Sequence, residues 1–261
     1  INKSRNLFYS SLQVYFIFTF WLGIATLYGL DGHGPDVIKF YKVSTSNLSL
    51  KEMLVLENGA TIALFGFFYK VFSYIGLQSG HYIGSMINIM LLTINFVIGY
   101  KILSILTVVT HSKFFWYKII YLTSGMFMLF ASLHLREALT LLSFNMLVLF
   151  WAHVLKQINL KNLFIISVST IAITPYFELL RTEYFYIPVL VMAAAYFSLF
   201  FEDSYKNIKT ILIVVLSIVI TTIIAFNFIS IINYFVQFDN TILYGITSYQ
   251  KGASLESDAS S

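Results

Sequence analysis

What most constrains this chain is a succession of long, nearly uncharged apolar runs. Residues 6–30 contain no acidic or basic side chain, and comparable runs follow at 83–109, 119–134, 138–155, 162–180, 184–201 and 210–233. A bilayer crossing takes about 20 predominantly apolar residues. In hydrocarbon only a helix or a closed barrel satisfies its own backbone, and barrel strands read as alternating segments of about ten residues. These runs are continuous and longer. Composition agrees: 58% of residues are hydrophobic and 11% charged, against about 25% charged in a soluble domain, and mean hydropathy is +0.80. The predicted fold class is all-α, a polytopic transmembrane helical bundle with about seven spans forming one domain over 1–261.

Between the runs the chain is short on soluble structure. Residues 31–58 read as a polar outer loop. Residues 59–80 are apolar but carry Lys70 and four glycines, which suits a re-entrant or interfacial segment better than a clean span. Residues 111–118 read as a short basic connection, and 239–261 as a polar tail ending in serines. The first run is too long, and lacks the small-residue exit, to be a cleaved signal peptide. Cysteine is absent, which excludes a disulfide framework and thiolate chemistry. No basic stretch is dense enough to track nucleic-acid phosphates.

Charge fixes an expected orientation. If 59–80 does not cross, the amino-terminus, 101–118, 156–161 and 202–209 share the cytoplasmic side and hold nine lysines and arginines, while ten of the twelve acids fall opposite. That satisfies the positive-inside rule; making 59–80 a full span breaks it at three loops. Asp31, His33, Asp36, His134, Arg136, Glu137, Glu178, Arg181, Glu183 and the tail then all emerge on the outer face.

Arg136 and Glu137 sit at the turn between two apolar runs, and Glu178, Arg181 and Glu183 repeat the arrangement later. A charge near the hydrocarbon edge is costly and usually faces protein or a wet cavity. Arginine offers a planar fork of donors that matches phosphate oxygens, and a lipid-linked substrate carries its phosphate at this depth. The plainer alternative is interfacial anchoring. On a helix Arg136 and Glu137 would point about 100° apart and pair poorly, whereas Glu178 and Arg181, three apart, could pair. Asp31 and Asp36 could serve as a base toward a hydroxyl, or as turn formers, with Asp36 capping a helix over 37–43. The five histidines lack metal-ligand spacing, so no metal ligands are assigned, though a divalent cation stays open. Asn88 and Asn95, seven apart on one helix face, read as interhelical hydrogen-bonding residues.

A family pattern links these residues. Gly34-Pro35-Asp36-x-x-x-Phe40-Tyr41 in the first outer loop is followed by an apolar segment from Leu64 to Phe72. Then come Leu135-Arg-Glu-Ala-Leu-Thr-Leu-Leu142, Leu179-Leu-Arg-Thr-Glu-Tyr-Phe-Tyr186, and Tyr249-Gln-Lys-Gly-Ala-Ser-Leu255. This layout resembles the bacterial membrane glycosyltransferases of the GT-C type, including the oligosaccharide repeat-unit polymerases of O-antigen and capsule assembly. The resemblance implies that Arg136 and Arg181 bind the phosphate of a polyprenyl-linked sugar. It implies that Asp36, with Asp31 second, handles the acceptor; Glu137, Glu178, Glu183, His134 and His33, on the same expected face, read as supporting residues. The partners so implied are a polyprenyl-(pyro)phosphate-linked sugar and membrane lipids, and the location is the bacterial inner membrane with the active face outward. Thr182 stands where the family commonly has proline. Members usually continue with more helices, so the 261 residues read either as a whole enzyme or as an amino-terminal portion. The rival expectations are a transporter or flippase and a non-catalytic assembly partner.

Overall fold

The computed structural model describes residues 2–30, 35–76, 80–154, 160–198 and 208–237. Every regular element among them is helical, as a backbone that must satisfy itself away from water requires. In order these are α1 (Asn2–Leu27), α2 (Pro35–Ser44), α3 (Leu50–Val55), α4 (Gly59–Tyr74), α5 (Tyr82–Leu106) and α6 (His111–Thr123). There follow α7 (Gly125–Ser132), α8 (Glu137–Val154), α9 (Leu160–Leu180), a 3-10 turn (Thr182–Tyr186), α10 (Ile187–Ser198) and α11 (Ile208–Gln237).

Four stretches among the described residues are long and apolar enough to cross a membrane: Arg5–Leu27, Tyr82–Leu106, Glu137–Val154 and Lys161–Leu180. The pair α6 and α7 makes a fifth if counted as one span bent by 52°. The chain is therefore a helical protein with several apolar helices able to cross a membrane, and these lengths account for four or five crossings of the expected seven. The apolar stretches Glu183–Ala194 and Leu212–Ala225, where the last two were expected, are shorter, although α11 itself runs for 30 residues.

Three local expectations are corrected. Residues 111–118 are not a connection but the first turns of α6. Thr110 caps them, its hydroxyl accepting from the Lys113 amide at 3.3 Å, which is the usual way to satisfy a first-turn donor. The run 119–134 is not one straight span. Ser124 is extended (φ −66°, ψ 110°), so the ladder stops at Thr123 and restarts at Gly125. The segment expected as a polar loop holds two helices, α2 and α3: Pro35 sits in the opening turn of α2, where its missing N–H costs nothing. Within the apolar segment that follows, Gly59–Tyr74 form one helix, about 24 Å long at 1.5 Å per residue. Lys70 within it donates to the Leu48 carbonyl.

The chain divides into two compact units, residues 1–50 with 60–166, and 51–59 with 167–261. In the first, α5 is the central element, packing most extensively against α8 and then against α1 and α7. Val14, Phe18 and Leu22 of α1 meet Ile89, Leu92 and Phe96 of α5, closed by Tyr121, Ala131 and Ala138. A second cluster joins Phe65 and Tyr69 of α4 to Ile83 and Ile87 of α5. In the second unit, α10 packs on α11 and on the 3-10 turn, and buried Tyr196 brings its hydroxyl 3.0 Å from Ser167 Oγ.

Candidate functional site

The break between α7 and α8 is where the first unit gathers its buried polar atoms. α7 ends at Ser132, Leu133 is extended (φ −112°, ψ 145°), and the Leu135 amide folds back to the Leu133 carbonyl at 3.0 Å. α8 begins when the Arg136 carbonyl accepts from Thr140 N at 3.1 Å. Carbonyls in such a break have lost their helical donors, and α5 supplies replacements. Ser85 Oγ donates to the Ser132 carbonyl at 3.1 Å. The Asn88 amide nitrogen donates to the Leu133 carbonyl at 2.8 Å and to the Leu135 carbonyl at 2.9 Å.

His134, between those two carbonyls, is wholly buried. Its ring meets Phe65 edge-on at 4.0 Å between centroids, with Tyr69 at 5.7 Å and Phe40 at 6.4 Å. Tyr69 Oη lies 3.5 Å from Nδ1, while Nε2 is buried without a hydrogen-bond partner. Its far side lies on Gly84, where an added Cβ would stand 2.2 Å from Cδ2. Burial pushes the imidazole pKa down to about 3, with nearby His81 adding to the shift. This histidine is neutral at physiological pH.

Arg136 comes immediately before α8 and folds its guanidinium over Phe40 of α2, 5.9 Å from the ring centroid. Its side chain is only 14% exposed. The Nε is 3.7 Å from Glu137 Oε1, within ion-pair range but outside hydrogen-bond range, and it is buried without a hydrogen-bond partner, as is Glu137 Oε2. These neighbours make an ion contact without a hydrogen bond, the poor pairing expected, though not for the helical reason. Arg136 lies outside the helix, so the 100° helical offset does not separate them. Asp36 stands in the first turn of α2, four residues before Phe40; its carboxylate, like all of Asp31 and His33, lies outside the described residues.

Arg181 belongs to the second unit. α9 ends at Leu180 and Arg181 is extended (φ −165°, ψ 135°), so the helical spacing that would set it against Glu178 is lost. Its Nε donates to Glu183 Oε2 at 2.6 Å and its guanidinium lies over Tyr184 at 5.4 Å. At 38% and 63% exposed, this is a surface pair. Hydrogen bonds to Tyr184 and Glu183 raise the Arg181 pKa further above its ordinary value.

No protein-family model, curated protein or solved structure matches this chain. Its chemistry therefore rests on the site itself. Arg136 is a cation at the positive end of a helix, where an acid or a small polar cap is the stable choice. Its ion pair with Glu137 leaves the buried Nε–H unbonded. Such an arrangement is suited to a second, external anion that accepts from guanidinium donors. Among the described residues no three His, Asp or Glu side chains group as metal ligands. Two surface hollows, lined by Leu7 and 104–109 and by the α1 and α6 ends, contain no Arg136 or His134 side chain. Sequence reasoning gave Asn88 a bland role, noted Phe40 and the segment holding Tyr69 only as parts of the family pattern, and passed over Ser85 and Gly84. The spacing Gly84-Ser85-x-x-Asn88, small and polar residues on one face of an otherwise apolar span, is the signal that marks them.

Proposed function

We propose that this chain is an integral-membrane glycosyltransferase or polysaccharide polymerase that acts on a polyprenyl-(pyro)phosphate-linked sugar at the outer face of the bacterial inner membrane. The observation that supports it is Arg136: only 14% exposed, at the start of an apolar helix, its Nε–H unbonded beside an incompletely paired Glu137. In this reading the guanidinium holds the leaving phosphate oxygens. The acceptor hydroxyl attacks the anomeric carbon, the bond from that carbon to the phosphate oxygen breaks, and its electron pair leaves on the phosphate. Asp36, with Asp31 as second candidate, takes the hydroxyl proton. Arg181 has the same class of role by family resemblance. Seven crossings, with the amino-terminus cytoplasmic, put the start of α8 on the outer side.

The test is an assay on the purified protein in nanodiscs with a lipid-linked oligosaccharide. Arg136→Lys keeps a charge but loses the fork, and is expected to lower product formation by about tenfold or more at unchanged folded yield. Product at the wild-type rate removes the assignment. Arg181→Lys, measured in parallel, asks the same of the second arginine.

One observation favours a carrier as second reading. α6 and α7 form a broken pair bent by 52°, and discontinuous helices line substrate paths in transporters. Movement of the labelled lipid across vesicles, with no glycosidic bond formed, would select that reading.

A further inference from the structure

We infer that Asn88 is the positioning residue of this site: its amide holds the α7–α8 break in the one shape that presents Arg136 to a lipid phosphate. The inference rests on the role proposed for Arg136. Asn88 is wholly buried on the central helix α5. Both of its N–H donors are spent on the break, at the Leu133 and Leu135 carbonyls, while its own Oδ1 is buried without a partner. The opposite orientation would set that oxygen against two carbonyl oxygens, so the network itself decides which way the amide faces. The residue acts here by donation alone, at the cost of an unsatisfied acceptor.

The two carbonyls bracket His134, and Arg136 follows the second directly. Ser85, one turn earlier on the same face of α5, fastens the carbonyl before them. Ser132 Oγ donates to Leu129 and the Leu133 amide closes on the same carbonyl. The Leu135 carbonyl accepts no helical amide, because the α8 ladder begins one residue later, with Thr140 N on the Arg136 carbonyl. Without Asn88 the Leu135 carbonyl, and with it the backbone leading into Arg136, loses the side-chain donor that holds it. Non-helical backbone near membrane depth persists only where protein satisfies it. A displacement of about 1 Å at a binding group is enough to cost one to two orders of magnitude in function.

The experiment uses the full chain in nanodiscs and exploits its lack of cysteine. A single cysteine at Leu135→Cys reports the rigidity of the break through its rate of maleimide labelling. Binding of undecaprenyl phosphate, the probe used, reports the site. Asn88→Asp keeps the shape and replaces two N–H donors with at most one O–H; Asn145→Leu removes a hydrogen bond to Asn95 on the same helix as Asn88 and is the control. Asn88→Asp is expected to label about tenfold faster and to bind about tenfold more weakly, with the control near wild type in both. In an Arg136→Lys background the binding loss from Asn88→Asp should vanish, since it acts through that arginine.

Wild-type labelling and binding in Asn88→Asp overturn the inference, and so does a loss that adds in full to that of Arg136→Lys. If Arg136→Lys binds undecaprenyl phosphate as well as wild type, the proposed function fails, while the labelling arm still decides whether Asn88 holds the break. Should Asn88→Asp not fold, Ser85→Ala, one donor fewer on the same break, is expected to shift both readouts by about threefold; no shift overturns the inference.

Discussion

Arg136 breaks a local rule. A helix start favours acids and small polar caps, and a cation there is opposed by about 0.3–1 kcal/mol at exposed sites. Residues that violate local preference without an evident structural gain concentrate where function is built. Arg181 makes the contrast: its pair with Glu183 is short but largely exposed, and such pairs contribute little. Glu183→Gln is expected to change thermal stability by less than about 0.5 kcal/mol. His134 leads to a pH prediction. Its folded pKa, about 3, lies below the ordinary 6.5, so the unfolded chain binds the extra proton. Stability is complete above about pH 6.5 and is lost as pH falls below it, by about 2 kcal/mol between pH 7 and pH 5. Tryptophan-fluorescence melts over that range should flatten in His134→Gln. At Gly84 an added methyl would stand 2.2 Å from the same ring. Gly84→Ala is expected to lower stability by about 1–3 kcal/mol, read as a drop in Tm at pH 7.

At the scale of elements, α5 explains how an apolar bundle acquires specific contacts. Lipid is as apolar as leucine, so helices in it recognise one another through close approach and interhelical hydrogen bonds. α5 offers both along one face. Gly84 admits His134, and Gly99 admits the Tyr117 hydroxyl, which donates to the Phe96 carbonyl at 2.8 Å. Asn95 accepts from Asn145 at 2.8 Å and donates to Tyr121 Oη at 3.1 Å, and Tyr121 donates to the Leu92 carbonyl at 2.7 Å. Tyr121→Phe strands a buried Asn95 N–H and should cost about 1–3 kcal/mol. An unchanged Tm would mean that the chain does not hold α5, α6 and α8 together. The seven-residue spacing of Asn88 and Asn95 was legible as interhelical bonding, and both make such bonds. Which carbonyls Asn88 serves was not legible, because they become free only when α7 stops at Ser132.

At the scale of the whole molecule, orientation is testable through the same lack of cysteine. With the amino-terminus inside and 59–80 not crossing, Ser112→Cys should react with an impermeant maleimide only after permeabilisation, and Asn47→Cys in intact cells. Both positions are exposed, so accessibility is set by the side of the membrane. The reverse pattern would invert every assignment of an outer face. The site draws on α2, α4, α5 and the α7–α8 break, from Phe40 to Glu137, all within one compact unit.

The sequence by itself determined that this is a helical protein with several helices apolar enough to cross a membrane, and where most of its helices run. Long uncharged runs leave a backbone no choice in hydrocarbon but to bond within its own segment, and that needs no knowledge of neighbours. It also singled out Arg136 and Glu137, because charge beside such runs is costly wherever the helices go. Only the tertiary structure decided that the run after His111 breaks at Ser124, that Arg136 precedes its helix and so meets Glu137, and that Arg181 turns to Glu183. It alone put His134 in an aromatic box and gave Asn88 two carbonyls to hold. Those outcomes depend on which backbone groups are left unpaired and which side chains lie near enough to take them, and residues some 45 positions apart meet only once the helices have packed.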